Sequence, residues 1–196
     1  MKLSQRMSRL GTETAFEVLA KARALEAQGR EIIHLEIGEP DFDTPLNVVE
    51  AGVAALRNWH THYTPAAGVL PLRQAIADEV AATRGIPVHP DQVVVVPGGK
   101  PIMFFALLAM VEAGDEVIYP NPGFPIYASM INFAGARAVP IPLRMENDFG
   151  LDVDELAGLV TDRTRLIILN SPANPTGGVV SAGQLAQVAE IAQARG

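Results

Sequence analysis

Cysteine is absent from the 196 residues, which excludes a disulfide framework, a thiolate nucleophile and a cysteine-held zinc site. Histidine is scarce, with four in the chain, and His60 and His62 stand in a loop without an acidic cluster beside them. They read as loop residues, and no metal site is expected. There is no excess of positive charge: 15 Lys and Arg against 22 Asp and Glu give a net charge of -7. No basic stripe for nucleic acid follows, and small-molecule or protein partners are expected instead. No apolar run is long enough to span a membrane, and the opening MKLSQRMSRLGTETAFE carries charges where a secretory signal needs an apolar block. The expectation is a soluble, cytoplasmic protein without a membrane partner. Lysine occurs only as Lys2, Lys21 and Lys100.

What is present is an alternation of helical and extended signals. Residues 12–28 carry Phe16, Leu19, Ala20, Ala24 and Ala27 at spacings of three and four, with Gly29 as a stop. Residues 31–37 look extended and run into a turn-rich loop, after which Thr44 is expected to cap a helix with Pro45 in its first turn. That helix ends near Trp59, and a third covers residues 71–84 with Gly85 as its stop. Beyond residue 90 the rhythm changes. Residues 93–96, 117–119, 138–141 and 166–169 read as short strands, separated by helices over about 101–112, up to 133, and 152–160, with a last helix over 181–194. Ser181 with Gln184 three residues on is a capping-box signature. Strands alternating with helices predict an α/β fold with a mostly parallel sheet, right-handed crossovers and helices on both faces. The organisation expected is an N-terminal arm and small-lobe segment over residues 1–90 and the first half of a larger domain over 91–196.

Three turns sit where strands should end, at the carboxyl edge on which parallel sheets bind ligands. Gly98-Gly99-Lys100 can offer free backbone N–H groups and a helix's positive end to a phosphate, although an ordinary tight turn is as good a reading. It is not a P-loop: Val94 stands where the first glycine belongs, and Pro101 follows the lysine. Asn121-Pro122-Gly123-Phe124-Pro125 holds an aromatic ring between two prolines, and the bland alternative is a core phenylalanine. The stretch 170–178, Asn-Ser-Pro-Ala-Asn-Pro-Thr-Gly-Gly, offers Asn174 as both donor and acceptor. Tyr63 is open between a surface phenol and a phosphate ligand.

These motifs appear together in one order: Gly38-Glu39-Pro40-Asp41-Phe42, Tyr63 with Gly68, Pro97-Gly98-Gly99-Lys100, Gly114-Asp115-Glu116-Val117, residues 121–127, and residues 170–178. In that order they resemble the class I and II aminotransferases, pyridoxal-phosphate enzymes of fold type I, over nearly the whole chain. The resemblance implies a truncated fold type I large domain with an N-terminal arm and part of the small domain. It implies pyridoxal 5'-phosphate as cofactor, amino acid and 2-oxo acid as substrates, and a homodimer at full length. By resemblance, Gly99 and Lys100 supply the phosphate cup through their main chain, Phe124 stacks on the cofactor ring and Asn174 donates to its phenolic oxygen. Gly38 helps seat the substrate carboxylate, and Tyr63 reaches the phosphate of the neighbouring subunit. Both Asn121-Pro122 and Asn174-Pro175 are expected to be cis, and the three carboxyl-edge turns to meet in one cleft.

The family's Schiff-base lysine, its acidic partner of the pyridine nitrogen and its carboxylate-gripping arginine have no counterpart here. No residue of this chain is therefore expected to be catalytic, and the chain reads as the N-terminal half of an enzyme. In the fold it resembles, residues 93–96 pair with a strand from the far end of the protein and lack a ladder partner without it. The alternatives are a non-catalytic phosphate-binding or interaction fragment, or another fold type I reaction such as lyase or synthase chemistry.

Overall fold

A computed structural model describes residues 2–11 and 14–195. It divides into two compact units, one formed by residues 1–14 with 102–196 and the other by residues 15–101.

The first unit is built on three parallel strands, β1 (Glu116–Asn121), β2 (Arg137–Pro142) and β3 (Thr164–Ile167), in the order β2-β1-β3. The central β1 is buried along most of its length, as the continuous apolar run predicts for a strand covered on both sides. Its side chains alternate. Val117 joins Ile131, Ala136, Leu107 and Val111, so that one face is covered by α4 (Gly99–Met110) and α5 (Ile126–Ala134). Ile118 joins Val139, Ile141, Leu156 and Val188, so that the other is covered by α6 (Val153–Leu159) and α7 (Ala182–Arg195). Local signals set the helix ends. Gly135 closes α5 in the left-handed conformation at φ +91°, and the Asp152 carboxylate caps α6 by accepting from the Glu155 N–H at 2.9 Å. Ser181 and Gln184 cap α7 reciprocally, through Ser181 N–H to Gln184 Oε1 (2.8 Å) and Gln184 N–H to Ser181 Oγ (3.2 Å).

At the amino edge of this sheet one buried carboxylate ties the three strands together. Glu116 is 1 % exposed. It accepts from Thr161 Oγ1 (2.7 Å), from the Arg163 guanidinium (2.6 Å) and from Arg137 Nη1 (2.9 Å), so β1 holds both β2 and the turn entering β3. The Thr161 hydroxyl and then the Arg163 guanidinium hold the Glu116 carboxyl below the usual carboxylate range.

The second unit contains most of α1 (Thr14–Glu26), with α2 (Leu46–Arg57), α3 (Leu70–Arg84) and a 3-10 turn at Pro90–Gln92. Gly85 ends α3 at φ +68°, as its placement predicts. The expected cap of α2 is different: Pro45 is the N-cap residue and no side chain caps it, so Thr44 does not play that role. Residues 12 and 13 of the expected first helix lie outside the described residues.

Residues 93–96 have no ladder, as expected of a segment whose partner in the resembled fold is a strand from the far end of the protein. Val93 has extended backbone at φ -111° and ψ 125°, and none of the four belongs to a strand. Val94 is 66 % exposed, and the Val95 N–H bonds instead to the Ala67 carbonyl at 3.0 Å. Arg73 pins the approach to this segment, donating to the carbonyls of Pro90 (2.7 Å) and Val93 (3.0 Å). The β-branched run supplies the extended conformation; a strand also needs a neighbour to pair with. Residues 31–37 likewise form no ladder and bend at Glu36, and β3 starts and ends two residues before the run 166–169. Among the described residues no helix is long and apolar enough to cross a membrane, and no group of three or more His, Asp or Glu is arranged to hold a metal ion.

Candidate active site

Phe124 and Asn174 are delivered by loops that leave the same edge of the sheet, because β1 and β3 are parallel neighbours. The first loop is tight. Both Asn121-Pro122 and Asn174-Pro175 are cis, as the sequence leads one to expect, and Ser171-Pro172 is cis as well. A Cβ on Gly123 would collide with the Pro120 carbonyl oxygen, so this position admits no larger residue without moving backbone. The Phe124 ring meets Tyr127 edge-on, with centroids 5.9 Å apart and planes at 81°. That contact fixes the ring from one side.

The loop 170–178 is closed on itself by backbone bonds. Ala173 N–H donates to the Gly178 carbonyl (2.8 Å) and Gly177 N–H to the Ala173 carbonyl (2.7 Å). Gly178 packs so closely on Phe149 that a Cβ there would collide with the Phe149 carbonyl oxygen. Asn170 organises the turn. With its amide oriented to satisfy both neighbours, it donates to the Pro172 carbonyl (3.2 Å) and accepts from the Asn174 N–H (3.1 Å). Burial pushes the Tyr127 phenol up, and the Asn170 side chain opposes that rise. Asn170 and Tyr127 are thus joined to the two residues singled out from sequence, Asn174 and Phe124. Sequence reasoning gave neither a role. The available signals were spacing: Tyr127 lies three residues beyond Phe124, and Asn170 four before Asn174.

The remaining candidates belong to the second unit. Gly98 adopts φ +94°, and Gly99 and Lys100 open α4, so the turn has the left-handed step and the fresh helix start that an anion cradle uses. The Lys100 ammonium lies 5.9 Å from the centroid of the Phe16 ring. Gly68, at φ +100°, lets its loop dock on residues 93–96: a Cβ there would come within 2.9 Å of Val95. Tyr63, five residues earlier, is fully exposed. Gly38 follows segment 31–37, which belongs to no helix or strand. Taken unit by unit, the residue types suit parts of the pyridoxal phosphate implied by the motifs: the second unit has a glycine-rich helix start of the kind that takes a phosphate, and the first has an aromatic ring and an amide on adjacent strand ends.

Comparison with known proteins gives the family. The family profile described as "Aminotransferase class I and II" matches residues 30–196. An aspartate/prephenate aminotransferase of Nitrosomonas europaea is 40% identical over 185 residues, which is 94% of this chain and 47% of that protein. The solved aspartate aminotransferase of Thermus thermophilus with maleate superposes with a TM-score of 0.94 at 36% identity, over 100% of this chain and 51% of that one. An alanine aminotransferase of Pyrococcus furiosus gives 0.94 at 30% identity, over 99% and 50%. The chain spans about half the length of the relatives it matches. The parallel sheet with helices on both faces is therefore that of a fold type I aminotransferase large domain, and the chain belongs to the class I and II aminotransferases.

Proposed function

We propose that these residues serve pyridoxal-phosphate-dependent transfer of an amino group from an amino acid to a 2-oxo acid, within a polypeptide that also carries the half its relatives have. The observation that supports this reading most is the pairing of β1 with β3, which sends Phe124 and Asn174 out from one edge of the sheet. The cofactor, when bound, supplies the electron sink that makes the amino acid's α-proton labile.

This chain's residues bind and orient. The backbone N–H groups of Gly99 and Lys100, at the positive end of α4, take the phosphate. Phe124 lies against one face of the ring, held by Tyr127. Asn174 donates to the phenolic oxygen, and Asn170 holds the loop that presents it. Gly38 seats the substrate carboxylate by backbone approach, and the exposed Tyr63 reaches the phosphate site of a second subunit in a homodimer. The three lysines lie in the arm helix region and the phosphate turn, and none is assigned the covalent anchor.

Two measurements test the reading. In the polypeptide that contains both halves, Asn174→Ala shifts the pH profile of the bound cofactor's absorbance; an unchanged profile removes Asn174 from its role. Residues 1–196 alone, given pyridoxal phosphate and borohydride, yield no stoichiometric adduct on one lysine. Such an adduct accompanied by amino transfer would assign the chain a complete active site of its own.

A further inference from the structure

We propose that His34 is a positioning residue: its protonated ring, gripped by Glu26 and Glu36, fixes the segment that delivers Gly38 and thereby ties substrate affinity to pH. The proposal rests on the assignment of Gly38 to the substrate carboxylate given above.

Both ring nitrogens of His34 meet carboxylate oxygens, Nε2 at 2.8 Å from Glu26 and Nδ1 at 2.7 Å from Glu36. An ionised carboxylate only accepts, and a neutral imidazole has a single N–H. The two bonds therefore coexist only when the ring is an imidazolium. Glu26 is the last residue of α1, whereas Glu36 stands on the histidine's own segment, so the ring bridges helix and segment. Among the described residues these two carboxylates are the charged groups that act on it.

The segment's neighbouring apolar side chains contribute little burial. The 2.7 Å contact brings the His34 and Glu36 side chains together, whereas Ile33 and Leu35 project to solvent. Ile33 is 84 % and Leu35 89 % exposed, so those apolar side chains bury little. Glu36, by contrast, keeps only 9 % of its side chain exposed. Its carboxyl is held below the usual range by His34 first of all.

The hydrogen bond from Glu26, then that from Glu36, raises the His34 ring above its ordinary value of 6.5. A group raised on folding gives its full stabilisation below the unfolded value and loses it as pH climbs through the folded one. The clamp is thus complete below about pH 6.5 and released above it, in the window where the ring gives up its proton. Deprotonation leaves one carboxylate facing a ring lone pair. Gly38 lies only four positions beyond His34.

The test uses the full polypeptide that contains this chain, loaded with pyridoxal phosphate, and L-aspartate or L-alanine as amino donor, whichever turns over faster. Three readouts are followed from pH 5.5 to 9: the His34 ring titration by NMR, amide hydrogen exchange over residues 31–38, and KM and kcat. Expected are a ring titration above 6.5 that moves down in Glu36→Gln, and exchange that quickens along the same titration. KM for the donor rises at least about fivefold, the low end of coupling between linked sites, with kcat unchanged. His34→Lys, a cation across the whole range, keeps KM low and removes the step. Exchange that ignores the ring titration, or a KM that stays flat while exchange follows it, overturns the proposal. Gly38→Val addresses the underlying assignment separately: an unchanged KM in that variant removes Gly38 from the substrate seat, whatever the clamp does.

Discussion

Replacing Asn170 probes the loop that presents Asn174 more directly than replacing Asn174 itself. In Asn170→Ala the Asn174 N–H loses its acceptor at 3.1 Å and the Pro172 carbonyl its donor at 3.2 Å. A neutral hydrogen bond contributes about 1 kcal/mol net, so the loop's closed form should lose about 1–2 kcal/mol once both are gone. Since 1.4 kcal/mol is tenfold in an equilibrium, local opening becomes about 5 to 30 times more frequent. Amide hydrogen exchange reads this at Asn174 and Gly177, with Ile118 in the buried β1 as internal reference. Asn170→Asp is the sharper variant. It keeps an acceptor for Asn174 but turns a second anionic oxygen toward the Pro172 carbonyl, so its exchange should be at least as fast as that of Asn170→Ala. Equal exchange in wild type and Asn170→Ala would show that the residue does not hold the loop. Wild-type behaviour in Asn170→Asp would show that the donation to Pro172 is idle and the amide lies the other way.

Three further outcomes are expected. Glu116 is held below its ordinary 4.5, so its stabilisation is present above that value and lost as pH falls through the lower folded one; Glu116→Gln should flatten the acid limb of stability against pH, and an unaltered limb between pH 3 and 5 would refute the clamp at the amino edge. Leu156→Ala removes a side chain with 0 % exposure from the core beside α6 and should cost about 2–5 kcal/mol in denaturant unfolding, whereas a loss below about 1 kcal/mol would mean that face is not packed as described. Gly178→Ala must displace the Phe149 backbone or the loop itself, at about 1–3 kcal/mol, and should speed exchange at Ala173; unchanged exchange there would contradict the close approach.

The elements that sequence located well are those whose cause is local. Gly85 and Gly135 end helices because a residue without Cβ takes the left-handed conformation without strain. Ser181 and Gln184 start α7 because their side chains reach backbone three residues away. The short β-branched runs at 117–119 and 138–141 are strands because helices cover both of their faces.

Where the cause is a partner distant in sequence, the same signals mislead or fall silent. Residues 93–96 are as β-branched as β1, yet their backbone finds Ala67 rather than a neighbouring strand. Glu116 reads as an ordinary acidic residue until folding brings Arg137, Thr161 and Arg163 around it, from 21, 45 and 47 residues away. Phe124 and Asn174 are recognisable from their motifs, but Tyr127 and Asn170 acquire their roles only because parallel strands put the two loops side by side. The sequence by itself determined the order of motifs, the helix ends and hence the family. The tertiary structure alone decided which polar groups meet, because a hydrogen bond depends on distances of about 3 Å that no spacing along the chain specifies.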